Sequence, residues 1–218
     1  MIPTPTPPLG FDLVDELMRQ RILAIVRSDN ANGCYYAAMT LIEEGVNLVE
    51  VSLSGHGAVD VITRVRNAAP DALVGAGTVL TREDTQAVYE SGALFVVTPG
   101  LAPSVAAAGE IGLPILCGAL TPTEVIEAMG QGATAVKVFP AFAWGPGYIA
   151  ALRAPFPDTP LVAVGGVGID DIGAYLEAGA VAVGLGSPLL GDTAKGGDLE
   201  GLRRRARAAL SAAAAAGR

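Results

Sequence analysis

Ala133-Thr-Ala-Val-Lys-Val-Phe-Pro140 sets a lysine inside a short run of β-branched and apolar residues. Such a run reads as a buried strand, and Lys137 is one of only two lysines in 218 residues. Burying an unpartnered ammonium ion costs on the order of several kcal/mol, so the group tends to shed its proton instead. A neutral amine is a nucleophile towards carbonyls, the starting condition for Schiff-base chemistry. The competing reading is a lysine ion-paired at a strand end, or one that snorkels to solvent. The other lysine, Lys195, lies in Gly191-Asp-Thr-Ala-Lys-Gly-Gly197, a polar loop where a cation needs no explanation.

Outward from Lys137, short β-branched runs alternate with longer amphipathic stretches. Strands are predicted over 22–26, 48–53, 73–76, 95–98, 115–117, 135–139, 161–164 and 181–185. Helices are predicted over 34–44, 59–68, 147–153, 169–178 and 199–215, with others opening near residue 82 and after Pro103 and Pro122. Thr81 is the expected N-cap of the helix near 82, with Asp84 completing a capping box. Most strands are apolar on both faces, which suits a parallel sheet covered on each side. Eight β/α units in this length predict a single (β/α)8 TIM barrel in the α/β class, with an extra N-terminal helix. A doubly wound flavodoxin-like sheet is the main rival. Residues 1–9 read as a flexible proline-rich lead-in, and residues 10–218 as one domain.

Composition narrows the function classes. A net charge of -8 argues against a nucleic-acid partner, although a local site can still bind small anions. No apolar run approaches the roughly 18–20 residues of a membrane span, and the start lacks a signal-peptide layout. Cys34 and Cys117 are too few for a disulfide framework and fit a reducing cytoplasm as core thiols. His56 is the only histidine, and no ligand cluster surrounds it, so no metal is expected. Gly75-Ala-Gly77 lacks the third glycine of a dinucleotide fingerprint, so no nicotinamide is expected, and Schiff-base chemistry needs no other cofactor because the imine itself takes up the electrons. The arginines at 203, 204, 205 and 207 read as a solvated helical face rather than a binding site.

Barrels carry their chemistry at the C-terminal ends of strands, and the unusual residues of this chain gather there. Arg27 follows the first strand, and Glu50 interrupts the second on the same face as Ser52. Thr78 closes the third, Pro99-Gly100 the fourth, and Lys137 with Phe139 lies in the sixth. Gly165-Gly166 and Gly186-Ser187 follow the last two strands, where barrels often hold a phosphate; glycine lets backbone N–H groups approach an anion closely. Glu50 and Lys137 in one apolar cup read either as a salt bridge or as an acid/base with its nucleophile.

With these residues in view, the chain resembles the class I aldolases for 2-keto-3-deoxy-6-phosphogluconate and 2-keto-3-deoxy-6-phosphogalactonate. That family also acts on 4-hydroxy-2-oxoglutarate. The resemblance runs from about residue 21 to residue 190. It rests on Val49-Glu50-Val51, Gly75-Ala-Gly-Thr-Val79, Phe95-Val-Val-Thr-Pro-Gly100, Lys137-Val-Phe-Pro140, Ala163-Val-Gly-Gly-Val167 and Gly184-Leu-Gly-Ser187. It implies that Lys137 forms the Schiff base and that Glu50 is the acid/base. It also implies that Thr78 and the backbone near Gly77 and Pro99 hold the pyruvate end; Phe139 itself reads either as packing against the pyruvate methylene or as a core aromatic. By the same resemblance Gly165, Gly166, Gly186 and Ser187 bind phosphate, Arg27 meets the substrate, and the assembly is a homotrimer.

One position departs. The gluconate branch usually has an arginine four residues after the glutamate, where this chain has Ser54. The galactonate branch also lacks that arginine, and Val164 before the glycine pair points the same way. The expected substrate is therefore a phosphorylated keto-acid, cleaved to pyruvate and D-glyceraldehyde 3-phosphate. Rivals are a 4-hydroxy-2-oxoglutarate aldolase, a phosphosugar isomerase on the same barrel, and a non-catalytic phosphate-binding barrel. His56 reads as a loop residue, and Trp144 as surface packing or a wall of the phosphate site.

Overall fold

Eight short strands carry the β-branched runs, and each is followed by helix. The computed structural model describes residues 11–217; the lead-in expected over 1–9 lies outside the described residues. The order is α1 (Leu13–Gln20), β1 (Ile22–Val26), α2 (Ala31–Glu43), β2 (Leu48–Ser52), α3 (Ala58–Ala68) and β3 (Leu73–Gly77). Next come α4 (Arg82–Glu90), β4 (Val96–Val97), α5 (Pro103–Glu110), β5 (Ile115–Ala119), α6 (Pro122–Gly130) and β6 (Ala135–Val138). The chain ends with α7 (Pro146–Arg153), β7 (Leu161–Val164), α8 (Ile172–Glu177), β8 (Ala182–Leu185), α9 (Ser187–Leu190) and α10 (Leu199–Ala215). Neighbouring strands are all parallel in sequence order, and β8 pairs with β1 to close the barrel. An open doubly wound sheet would leave two edges, so that rival falls.

Strand alternation splits the apolar residues into two cores. Leu23, Leu48, Leu73, Leu116, Val162 and Ala182 face inward and pack with Leu13 and Leu17 of α1. The alternate residues, such as Ala24, Val49, Val74, Val136 and Val183, pack outward against the helices. The added N-terminal helix thus plugs the bottom of the barrel. Fully burying a leucine contributes about 1.5–3 kcal/mol, which anchors the plug, and Asp12 caps it by accepting from the Val14 and Asp15 N–H groups.

Towards the top the inward rows change character. After Leu48 comes Glu50 and then Ser52; after Leu73 come Gly75 and Gly77; after Ala135 comes Lys137. Apolar filler stops halfway up the barrel and leaves room for a polar mouth. The capping box at α4 forms as expected, with Thr81 Oγ1 accepting from Asp84 N–H at 3.0 Å and Asp84 answering to Thr81 N–H at 3.0 Å.

Three details differ from the sequence reading. The helix expected over 169–178 divides into a 3₁₀ turn (Ile169–Asp171) and α8. Between β8 and α10 the chain forms the short α9 and a 3₁₀ turn (Thr193–Lys195), elements too brief to leave a periodic signal. The arginine run is only partly a solvated face. Arg203 meets Glu43, the last residue of α2, and its C-cap Glu44 at 2.8 and 2.9 Å, and Arg205 donates to the Leu190 carbonyl at 2.9 Å, so this run clamps α10 to its neighbours.

Candidate active site

A cavity of about 540 Å³ opens at the C-terminal ends of the strands. Arg27, Glu50, Thr78, Pro99, Lys137, Phe139, Gly165, Gly166, Gly186 and Ser187 all line it. Strand register explains the convergence. Glu50 pairs with Ile25 on one side and Gly75 on the other, while Lys137 sits between Gly118 and Val162, and both stand on the inward rows of their strands. A hollow of about 600 Å³ at the opposite end, between α1 and α10, is larger but contains no carboxylate. Its Arg19 is engaged by Glu16 and its Arg21 by the Ala213 and Ala216 carbonyls.

Glu50 is 1% exposed and Lys137 6% exposed. Burial pushes the Glu50 carboxyl above the usual carboxylate range, and the positive charges of Lys137 and then Arg27 pull it partway back. The Oε2 atom of Glu50 is buried without a hydrogen-bond partner, and no ion pair joins Glu50 to Lys137 among the described residues. An acceptor left unpaired next to a cavity is available to a ligand; a structural salt bridge would have used it. Space for that carboxyl comes from Gly77, because a Cβ there would collide with Glu50 Oε1, Cδ and Cγ.

The Lys137 amine stands 5.1 Å from the centroid of the Phe139 ring, and Phe139 is half-exposed at the cavity wall. The ring lies against Gly165, where an added Cβ would come within 2.9 Å of it. Gly165 and Gly166 have φ of +93° and +72°, which side chains other than glycine rarely adopt. The backbone N–H groups of Gly165, Gly166 and Gly186 donate to no other group among the described residues, so three amides are free to meet an anion.

On the other side of Glu50 is a chain of hydroxyls. Ser52 Oγ lies 2.9 Å from both Ser54 Oγ and Thr78 Oγ1. Thr78 has φ of +58°, a left-handed conformation that costs a β-branched residue about 1–3 kcal/mol. The flanking Val79 N–H, bonded to the Val97 carbonyl at 3.2 Å, helps hold it there. Ser52, Ser54, Ile25, Val164 and Gly184 also line the cavity; Ile25 belongs to an apolar run that carries no separate signal for its inward aim. His56 and Trp144 are exposed and do not line it; Trp144 packs at a tilt against Tyr148 instead, ring centroids 4.6 Å apart. Cys34 and Cys117 are buried free thiols, with Cys117 in the middle of β5 rather than at its end. Among the described residues no group of three potential ligands could hold a metal ion.

Residues 14–204 match the family model described as "KDPG and KHG aldolase". The chain belongs to that aldolase family. It is 36% identical to a 2-dehydro-3-deoxy-phosphogluconate aldolase of Haemophilus influenzae, over 75% of this chain and 78% of that one. It is also 36% identical to a 2-dehydro-3-deoxy-6-phosphogalactonate aldolase of Escherichia coli, over 77% and 83% of the two chains. A solved structure described as native KDPGal superposes with a TM-score of 0.84 at 33% identity, covering 89% of this chain and 95% of that one. As a KDPG/KHG aldolase the protein is a carbon–carbon lyase of class I. Equal identity to both sugar-acid branches leaves the choice between them to individual cavity residues.

Proposed function

We propose that this aldolase cleaves a 2-keto-3-deoxy-6-phospho sugar acid to pyruvate and D-glyceraldehyde 3-phosphate, with Lys137 as nucleophile and Glu50 as acid/base. The observation that carries the reading is the pairing of a buried amine with a buried, unpartnered carboxyl in one cavity.

In its uncharged form Lys137 attacks the C2 ketone and gives a carbinolamine. Glu50 delivers a proton to the departing hydroxyl, water leaves, and an iminium forms on Lys137. The Glu50 carboxylate then removes the C4 hydroxyl proton. The C3–C4 bond breaks, its electron pair flows into the iminium, and glyceraldehyde 3-phosphate departs. Protonation of the enamine at C3 by Glu50 gives the pyruvate iminium, which water hydrolyses. A carboxyl held above its ordinary range by burial suits this alternation, since it must give and take a proton in successive steps. The iminium accepts the electrons, so the scheme calls on no metal or organic cofactor.

Thr78, within the Ser52–Ser54 hydroxyl chain, and the backbone at Pro99 take the pyruvate end, with Phe139 beside it. The amides of Gly165, Gly166 and Gly186, with Ser187, take the phosphate, and Arg27 supplies positive charge between the two ends. Ser54 and Val164 favour the galactonate epimer, because position 54 brings no guanidinium and position 164 offers the C4 region a methyl group in place of a hydroxyl. The assembly proposed is a homotrimer, supported by the family resemblance and by exposed Ile126, Phe142 and Trp144. The proposed compartment is the cytoplasm, supported by two unpaired thiols; no helix among the described residues is long and apolar enough to cross a membrane.

The test is steady-state cleavage of the galactonate and gluconate epimers side by side, together with borohydride trapping of pyruvate. Cleavage with trapping, and a higher kcat/KM for the galactonate epimer, is the expected result. Absence of trapping would remove the Schiff-base scheme. A reversed preference would remove the epimer assignment alone.

A further inference from the structure

The cations of this acidic chain are mostly committed. Arg19, Arg64, Arg82, Arg203, Arg204 and Arg207 meet carboxylates. Arg21, Arg66 and Arg205 donate to backbone carbonyls. Among the described residues Arg27, Lys137, Arg153 and Lys195 have no such partner, and three of these four converge on the barrel mouth. Arg27 and Lys137 line the active-site cavity. Lys195 lines two further spaces that open beside it, one of about 240 Å³ with Ile25, Arg27, Gly186 and Ser187. The other, of about 580 Å³, is shared with Arg27 and Ser54. The first of these contains no carboxylate, and Asp29 is the only one in the second.

The position of Lys195 is built rather than accidental. Asn30, the N-cap of α2, accepts from Gly33 N–H at 2.9 Å and donates through Nδ2 to the Lys195 carbonyl at 3.1 Å. Gly33 allows the Ala194 carbonyl to press against α2, since any Cβ there would overlap it. Arg205 holds the start of the same turn through Thr193 Oγ1 at 3.2 Å. The turn that carries Lys195 is therefore clamped to the loop that carries Arg27. Lys195 is exposed and shares the lining of the 240 Å³ space with Gly186 and Ser187, the residues of the phosphate turn.

Building on the aldolase reading, we propose that Lys195 is a further specificity residue. It would take the substrate's phosphoryl group from the β1 side, opposite the amides of Gly165 and Gly166. The physical requirement is plain. Neutral amides orient a dianion but do not offset its charge, and the chain around them is net acidic. A lysine head on a short clamped turn supplies that charge without entering the chemistry at C2.

The experiment compares wild type, Lys195→Ala and Lys195→Arg by cleavage of the phosphorylated keto-acid and by competitive inhibition with inorganic phosphate. Lys195→Ala should raise both KM and the phosphate Ki about tenfold, the scale of one lost charge-assisted contact, with kcat moving less than about twofold. Lys195→Arg should keep both constants within about threefold of wild type. Unmoved KM and Ki in Lys195→Ala would overturn the assignment, and so would equal losses in the two variants. Borohydride trapping of pyruvate, which involves no phosphate, is run in parallel on the wild type. Normal trapping with unmoved constants withdraws Lys195 alone, whereas absent trapping withdraws the aldolase reading beneath it.

Discussion

The Glu50 carboxyl fills the space that a side chain at Gly77 would need: a Cβ built on Gly77 would collide with the terminal atoms of Glu50. The acid/base is thus positioned by an absence of atoms on the neighbouring strand. Because the colliding atoms are the end of a flexible side chain, Gly77→Ala should displace Glu50 rather than unfold the barrel. Turnover should fall about 10²-fold or more, the scale of losing a positioned acid/base. Borohydride trapping should persist more strongly than turnover, and circular dichroism should show native helix content. A Gly77→Ala enzyme with wild-type kcat would show that Glu50 needs no such placement.

Lys137→Met replaces the amine by an apolar chain of similar length. Cleavage and trapping should vanish together, whatever the substrate epimer. Thermal stability should hold or rise, since a buried polar head leaves the barrel mouth. Mass spectrometry of the borohydride-treated protein checks this directly; an adduct on the variant would place the imine on another amine.

Burial raises the Glu50 carboxyl above its ordinary value of about 4.5, so the folded protein holds that proton more tightly than the unfolded chain. The associated stability is fully present below pH 4.5 and is lost as pH climbs towards the raised folded value. Glu50→Gln should therefore match wild type in Tm at pH 4 and exceed it at pH 7–8, by about 2–4 °C per kcal/mol regained. Calorimetry across that range reads the sign. A variant that is less stable than wild type at pH 8 would contradict the account.

Ser52→Ala breaks the hydroxyl chain and leaves Thr78 in its left-handed conformation without its hydrogen-bond partner. The KM for pyruvate, followed by exchange of its methyl protons into deuterated water, should rise about five- to tenfold, in line with about 1 kcal/mol for one hydrogen bond. Ser52→Thr, which keeps the hydroxyl, should recover most of the loss. Equal KM in all three proteins would leave Ser52 a packing residue.

Much of this was legible from order along the chain. Alternation along a strand fixes which side chains point inward, so Glu50 and Lys137, each third in its strand, both reach the barrel mouth. The Gly165-Gly166 pair and the Gly186-Ser187 step marked turns whose amides are unspent. What escaped was anything set by contacts distant in sequence. Lys195 read as a loop cation because nothing near it in sequence reveals that Asn30 ties its carbonyl across to the first loop. The left-handed Thr78 left no trace either, since threonine disfavours that conformation and only the surrounding ladder holds it there.

The amino-acid order by itself determined the barrel, its extra N-terminal helix and which side chains stand at the strand tips, because alternation and chain direction are local properties. Three-dimensional packing alone decided which cations stay uncommitted, where the carboxyl finds room, and how three hydroxyls join. Those outcomes depend on distances between segments far apart in the chain, and such distances exist only once β8 has closed against β1.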